Sequence, residues 1–300
     1  MRRAIITGAT GAIGTALCKE LIDHGVEVLV FTRKDSKRND KILQNELVKV
    51  RYCSLQEMDK VENDKGENYD VFYHLAWMGT SGSARNDKQI QDDNVKYALD
   101  AVVCAKRFGC KKFIGVGSQA EYGRKSEKLN PFLSCEPENE YGRAKLEAGI
   151  KTRELAKKLE MKHHWVRVLS IYGANDNENS LISYTIKELM EHKVPELTKG
   201  EQVWDYLNSE DAARALRLLG EKGIDGKTYV LGGGEAKTLK SYLETLRDVV
   251  SPGAQLGFGL KEYPDKQVMY LVADISELTK DTGFVPAIGF AEGIKKIIHV

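Results

Sequence analysis

The sequence predicts an α/β fold: a doubly wound parallel sheet with a smaller α/β lobe built from the C-terminal third. Three observations carry this prediction. Short β-branched runs alternate with longer amphipathic stretches through the first half of the chain, as parallel strands joined by helical crossovers require. The first run, "AIIT", passes directly into a glycine-rich turn that opens a helical pattern. After Tyr172 the alternation stops, and shorter, less regular pieces follow.

Taken in order, the strand candidates are "AIIT", "VEVLVF", "LVKVRY", "YDVFYHLA", "KKFIGVGS" and "HHWVRVLSIYG". Helical patterns lie between them, including "GTALCKELIDHG", "NVKYALDAVVCAKRFG" and "YGRAKLEAGIKTRELAKKLE". Beyond them "GANDNENS" reads as a polar loop, "LISYTIKELMEH" and "SEDAARALRLLGEKG" as helices, and "KTYVLGG" as a late strand. The expected division is a first lobe over 1–171, onto which 205–231 packs back, and a second lobe from 172–204 and 232–300. No repeat, low-complexity segment or proline-rich linker separates them, and with six prolines in all the lobes are expected to interleave.

Bulk properties exclude several classes. The 300 residues are 42% apolar and 30% charged, the balance of a globular chain. A formal charge of +1 offers no global attraction for nucleic acid or an anionic membrane. Apolar runs such as "VFYHLAWM" are strand-length, far short of a membrane span. The segment "MRRAIITGAT" enters a strand and turn without a signal-type apolar core, so a cytoplasmic location is expected. Five cysteines lack a C-x-x-C pair and read as reduced thiols. The six histidines show no ligand spacing; "HH" at 163–164 sends its rings to opposite faces of a strand, so no metal is expected.

The turn "ITGATGAIGTAL" places Gly8, Gly11 and Gly14 between a strand and a helix, with Thr10, Ala12 and Ile13 between and beside them. Glycines there permit a tight turn and close approach of a pyrophosphate to a helix N-terminus. A plain strand-to-helix turn would tolerate glycines too; the position at the head of a βαβ series favours a dinucleotide. The end of the second strand sorts the cofactor, since a carboxylate there suits the ribose hydroxyl of NAD and a cation the 2′-phosphate of NADP. The chain reads Thr32, Arg33, Lys34, with Asp35 only after both cations. NADP(H) is therefore expected, with Arg33 as principal phosphate contact and NAD(H) as the alternative.

Tyr141 and Lys145 form the chain's one Y-x-x-x-K, placing both side chains on one helix face. A free tyrosine titrates near ~10; a fixed ammonium beside it favours the phenolate. Such a phenol can give a proton to a developing alkoxide or take one from an alcohol. Ser118, closing the run "KKFIGVGS", offers a hydroxyl to hold the substrate oxygen.

These features together resemble the extended short-chain dehydrogenase/reductase family of nucleotide-sugar epimerases, dehydratases and reductases. The resemblance rests on "GATGAIG", "YDVFYHLAW", "GVGSQAEYG", "YGRAK", "RVLSIYG" and "VWDYLNSEDAARA", in family order across most of the chain. It implies a Rossmann-type first lobe, a smaller lobe that grips a nucleotide-sugar, and a homodimer formed through helices of the first lobe. It implies Ser118, Tyr141 and Lys145 as the catalytic triad. On the cofactor side it implies Leu75, Ala76, Trp77, Asn94, Val116, Leu169 and Ile171, with Ser54 and Leu55 where relatives often carry an adenine-binding aspartate. On the substrate side it implies Met78, Thr80, Gln119, Ala120, Ser170, Leu181 and Trp204. Trp204 stands where relatives carry an arginine toward the substrate phosphates.

The residues after Ser118 sort the reaction. Family dehydratases carry an acid and a base there; this chain has Gln119 and Ala120, and Glu121 falls one place further on, where its side chain should point elsewhere. Family members that epimerise at C3 and C5 carry a cysteine at the position of Ala120 and a histidine beyond "YG", and "YGANDNENSLIS" has none. Two hydride chemistries remain: NADPH-dependent reduction of a 4-keto sugar, preferred because net reduction suits NADP, and 4-epimerisation. A dinucleotide-binding regulator without chemistry is the reading from another class, disfavoured by the intact tyrosine and lysine.

Overall fold

The computed structural model describes residues 1–298. The chain opens with β1 (Arg3–Thr7), α1 (Ala12–Asp23), β2 (Glu27–Thr32) and β3 (Val48–Tyr52), and continues with β4 (Val71–His74), α2 (Lys88–Arg107), β5 (Lys112–Ser118), α3 (Glu140–Lys158) and β6 (Lys162–Val168). Then come β7 (Ser170–Tyr172), α4 (Leu181–Met190), β8 (Glu196–Leu197), β9 (Val203–Trp204), β10 (Tyr206–Asn208) and α5 (Ser209–Lys222). The chain finishes with β11 (Thr228–Leu231), β12 (Lys237–Thr238), α6 (Leu239–Val250), β13 (Gly257–Phe258), α7 (Ser276–Thr282) and α8 (Phe290–Ile298).

Seven of these strands make one parallel sheet in the order β11-β6-β5-β4-β1-β2-β3. The chain winds outward from β1 to β3, then returns to β4 on the other side of β1, the doubly wound arrangement expected from the alternation. That reversal opens a crevice at the carboxyl ends of β1 and β4, where such sheets bind ligands. Successive side chains of a strand leave on opposite faces, so Ile6 packs into the core shared with α1 and α5, while Ile5 packs into the one shared with α2. A sheet covered on both faces explains the nearly unbroken apolar runs.

"HHWVRVLSIYG" is not one strand. The Leu169 N–H still reaches the Leu231 carbonyl, but β11 ends there, so the chain beyond has no partner in the main sheet. Residues 170–172 pair instead with β10. Helices α4, α6 and α8 pack around Tyr172, Ile182, Ile186, Leu246 and Ile294 as a separate small core. Helix α5 buries Ala212, Ala213, Leu216 and Leu219 with Leu17 and Leu21 of α1, and Leu278 of α7 and Phe284 join the same cluster. The "VLGGG" turn ends β11; the Gly233 and Gly234 N–H groups donate to the buried Asp205 carboxylate.

Candidate active site

Gly8 takes φ +78°, and a Cβ there would stand 2.8 Å from the Ala76 nitrogen at the end of β4. A Cβ at Gly14 would meet the Gly8 carbonyl oxygen at 2.1 Å. Both positions require glycine, and the turn closes onto α1 with Gly11 as a cap that has no side chain. No acidic residue stands in the first turn of α1, so no side chain there competes with an anion for its free N–H groups. The residues present therefore fit a dinucleotide. The crevice holds about 530 Å³, walled by Gly8, Thr10 and Gly11 on one side and by Leu75, Ala76, Trp77, Met78 and Thr80 on the other. Ala12 and Ile13 begin α1, with Ile13 turned onto the core.

At the far end of the crevice stand Thr32, Arg33, Ser36, Arg38 and Leu55. Lys34 and Ser54, both expected to touch cofactor, are outside this wall. Lys34 is exposed, and the Ser54 hydroxyl is engaged by the Glu57 carboxylate at 2.6 Å. Ser36 and Arg38 take part instead because Asn39 folds the loop back. Its amide accepts from Thr32 Oγ1 at 2.8 Å and donates to the Arg33 carbonyl at 2.9 Å. Local spacing carries no signal of that fold-back, so only the loop's closure finds Arg38. Arg38 also donates to the Asn175 carbonyl, joining this loop to the polar loop after β7.

The candidate reacting groups come from β5 and α3. Ser118 ends β5, its hydroxyl accepting the Ala120 N–H at 3.2 Å. Asn139 caps α3 by accepting the Gly142 N–H at 2.8 Å, which starts the helix just before Tyr141 and puts Lys145 one turn on. Tyr141 and Lys145 are 8% and 3% exposed. The Lys145 ammonium donates to the Val116 carbonyl at 2.7 Å and sits 3.7 Å from the centre of the Trp77 ring. Burial lowers its pKa to about 7, with Glu121 pulling the other way. Burial raises the Tyr141 phenol, while a hydrogen bond with Ser118 and the Arg85 guanidinium, 4.2 Å over its ring, pull it down.

Asn94 shapes the crevice without lining it. Its amide accepts the Met78 N–H and donates to the Met78 carbonyl, both at 2.9 Å, and Gln91 takes the Trp77 indole N–H. Met78 and Thr80, expected on the substrate side, thereby stand in the wall of the glycine-turn crevice.

A second cavity of about 640 Å³ lies among β7, α4, β9 and α6, lined by Ser170, Leu181 and Trp204 among others. The Trp204 indole N–H donates to the Ser170 hydroxyl at 2.8 Å. Leu169 and Ile171, expected beside the cofactor, line this cavity, because the chain leaves the main sheet between them. Gln119 and Ala120 face a third cavity of about 310 Å³ with Arg85, Arg124 and Lys266. Arg85 was invisible in the sequence pattern, and Glu121 proves to be a buried hub beneath Ser118, accepting its N–H at 2.8 Å. Among the described residues no cluster of three metal-ligating side chains occurs, and no helix is long and apolar enough to cross a membrane.

This chain is similar over its whole length to nucleotide-sugar enzymes. It is 26% identical to the CDP-abequose synthase of Salmonella typhimurium, covering 98% of this chain and 96% of that one. It is 24% identical to a dTDP-4-dehydro-6-deoxyglucose reductase of Escherichia coli, with the same coverage of 98% and 96%. Its fold matches a UDP-N-acetylglucosamine 4-epimerase from Methanobrevibacter ruminantium M1 at a TM-score of 0.88, 20% identical over 99% of this chain and 97% of that one. It matches the RMD structure from Pseudomonas aeruginosa, complexed with NADPH, at 0.82, with 18% identity over 100% and 98% of the two chains. Residues 4–232 match the family described as the NAD dependent epimerase/dehydratase family, and the chain is an enzyme of that family.

Proposed function

We propose that this enzyme reduces the C4 ketone of an NDP-4-keto-6-deoxyhexose with NADPH. C4 receives the hydride, Tyr141 gives its phenolic proton to the ketone oxygen, and the product is the C4 alcohol with NADP⁺. Ser118 holds the oxygen, and Lys145 stabilises the phenolate left behind. The observation that carries this reading is the wall next to Ser118, where Gln119 and Ala120 face the cavity and cannot move a proton, and where the one carboxylate, Glu138, is tied to Arg124 through both oxygens at 3.0 Å. Elimination of water or enolisation at C3 and C5 needs a group free to move one, whereas hydride transfer needs the triad alone.

Arg33 and Arg38 at the crevice end support NADPH over NADH, and net consumption of NADPH suits a reductase. Similarity to a protein named dTDP-4-dehydro-6-deoxyglucose reductase supports the same chemistry. The second reading is a 4-epimerase, favoured by the fold's match to a UDP-N-acetylglucosamine 4-epimerase. Trp204 and Ser170 are the groups we assign to the nucleotide end of the substrate.

A panel of UDP-, CDP-, GDP- and dTDP-4-keto-6-deoxy sugars, each with NADPH or NADH, tests the proposal. Stoichiometric NADPH oxidation with a C4 alcohol identified by NMR supports reduction. Interconversion of ordinary NDP-hexoses without net cofactor change would establish the epimerase in its place.

A further inference from the structure

Directly beneath the triad lies a carboxylate that the proposed reaction does not use. Glu121 is fully buried, at 0% exposure. Its Oε1 accepts the Ser118 N–H at 2.8 Å and the Trp165 indole N–H at 3.0 Å, and its Oε2 accepts Arg167 Nε at 2.6 Å. Arg167 is held in turn over the Tyr122 ring at 4.6 Å.

Glycines make the room for this cluster. A Cβ at Gly117 would stand 2.3 Å from Glu121 Oε1, and one at Gly115 would stand 2.4 Å from the Trp165 ring. A Cβ at Gly149, one turn beyond Lys145 on α3, would stand 2.8 Å from the same indole. One carboxylate and one indole therefore key together β5, β6 and α3, the strand that carries Ser118, its neighbour, and the helix that carries Tyr141 and Lys145. An ion pair at such a place adds little stability over well-packed apolar side chains of the same shape. Its charge and its directed hydrogen bonds call for another account.

We propose that Glu121 is a positioning residue: through the Ser118 N–H and the Trp165 indole it sets the Ser118 hydroxyl against Tyr141. The proposal rests on the reading of Ser118, Tyr141 and Lys145 as the reacting groups. The charged surroundings are simple. Glu121 acts on both groups of α3, raising Lys145 against its burial and adding to the rise of the Tyr141 phenol. His74 on β4 stays neutral, its pKa lowered to about 3 by burial and by Lys145. Arg85 faces Tyr141 from the crevice side, and Arg153 of α3 feels Glu121 from below. Removing the Glu121 charge should lower the Lys145 titration further.

The test uses Glu121→Gln and, because that variant leaves Arg167 buried without its partner, the double variant Glu121→Gln with Arg167→Met. NADPH affinity, melting temperature, kcat, its pH profile and the Lys145 titration are measured in the full chain. The titration is read by NMR of ε-carbon-labelled lysine, with Lys145→Met assigning the signal. The double variant should melt near the wild type and bind NADPH as well, yet lose about 100-fold in kcat, the scale of a 1 Å misplacement. Its Lys145 titration and the alkaline limb of its profile, where the required protons are lost, should both move down. A folded double variant with unchanged kcat and Lys145 titration overturns the proposal. A drop in kcat that only follows lost melting temperature, with Lys145 unmoved, overturns it too by making Glu121 a structural anchor. If the wild type reduces no 4-keto sugar, the functional reading fails, and the Lys145 titration still decides whether Glu121 acts on Lys145.

Discussion

The Lys145 ammonium stands 3.7 Å from the centre of the Trp77 ring, where water would otherwise surround it. The ring's electron-rich face returns only part of the lost hydration, so burial wins and brings the pKa from 10.5 down to about 7. Between those values the unfolded chain holds a proton that the folded chain has released, so stability rises with pH across that window. Below about 7 both states are protonated, and the whole cost of burying the cation is present. Lys145→Met should abolish the rise and stabilise the cofactor-free protein at neutral pH by a few kcal/mol, at about 1.4 kcal/mol per pKa unit. Urea unfolding of both proteins at the two ends of the window measures this; parallel pH dependences would refute it.

Tyr141→Phe removes the proton donor and leaves the ring packed against Trp77. Turnover should fall about 10²- to 10⁴-fold, with NADPH affinity near wild type by fluorescence titration. Arg85→Met removes the cation over the ring, so the Tyr141 phenol should titrate higher. In the alcohol-oxidising direction, which needs the phenolate, the pH profile should therefore move up. An Arg85→Met profile identical to wild type rules out this role.

Arg33 and Arg38 end the crevice together. Each charge-assisted hydrogen bond to a phosphate contributes about 1.5–3 kcal/mol, so Arg33→Ala or Arg38→Ala should weaken NADPH binding about tenfold or more. NADH binding should change little. Steady-state KM values for both cofactors decide it, and equal losses for the two count against the assignment.

Gly142 follows Tyr141, and a Cβ there would lie 2.2 Å from the Ala120 carbonyl oxygen. Backbone must move to admit it, and the helix carrying Tyr141 must shift away from Ser118. Gly142→Ala should lower kcat about 100-fold for a displacement near 1 Å, with a smaller effect on NADPH binding. Single-turnover kinetics beside a binding titration separate the two effects. A fully active Gly142→Ala protein would show that the helix start tolerates the movement.

The glycine turn, the Tyr141–Lys145 pair and the hydroxyl of Ser118 were legible because each depends on a short local pattern. Strand, tight turn and helix follow one another in sequence, and a spacing of four fixes a shared helix face. The succession of strands and helices along the first half was legible for the same reason. Arg38, Arg85 and the Glu121–Arg167–Trp165 cluster were not. Arg38 enters the crevice only because Asn39 closes its loop, and Arg85 meets Tyr141 from a segment more than fifty residues away. Glu121 looked like a carboxylate pointing aside, because the turn after β5 and the indole waiting on β6 are features of packing, with no periodic trace.

By itself, then, the sequence determined the alternation of strands and helices, the glycine turn and the three side chains proposed to react, each carried by a short local pattern. Only the tertiary structure decided which strand ends meet, that the chain leaves the main sheet at Leu169 because β11 stops at Leu231, and what surrounds Lys145. The environment that lowers a lysine to about 7 is assembled from β4, β5 and α3 at once. Burial of a charge is a property of everything packed around it, and no local pattern contains that.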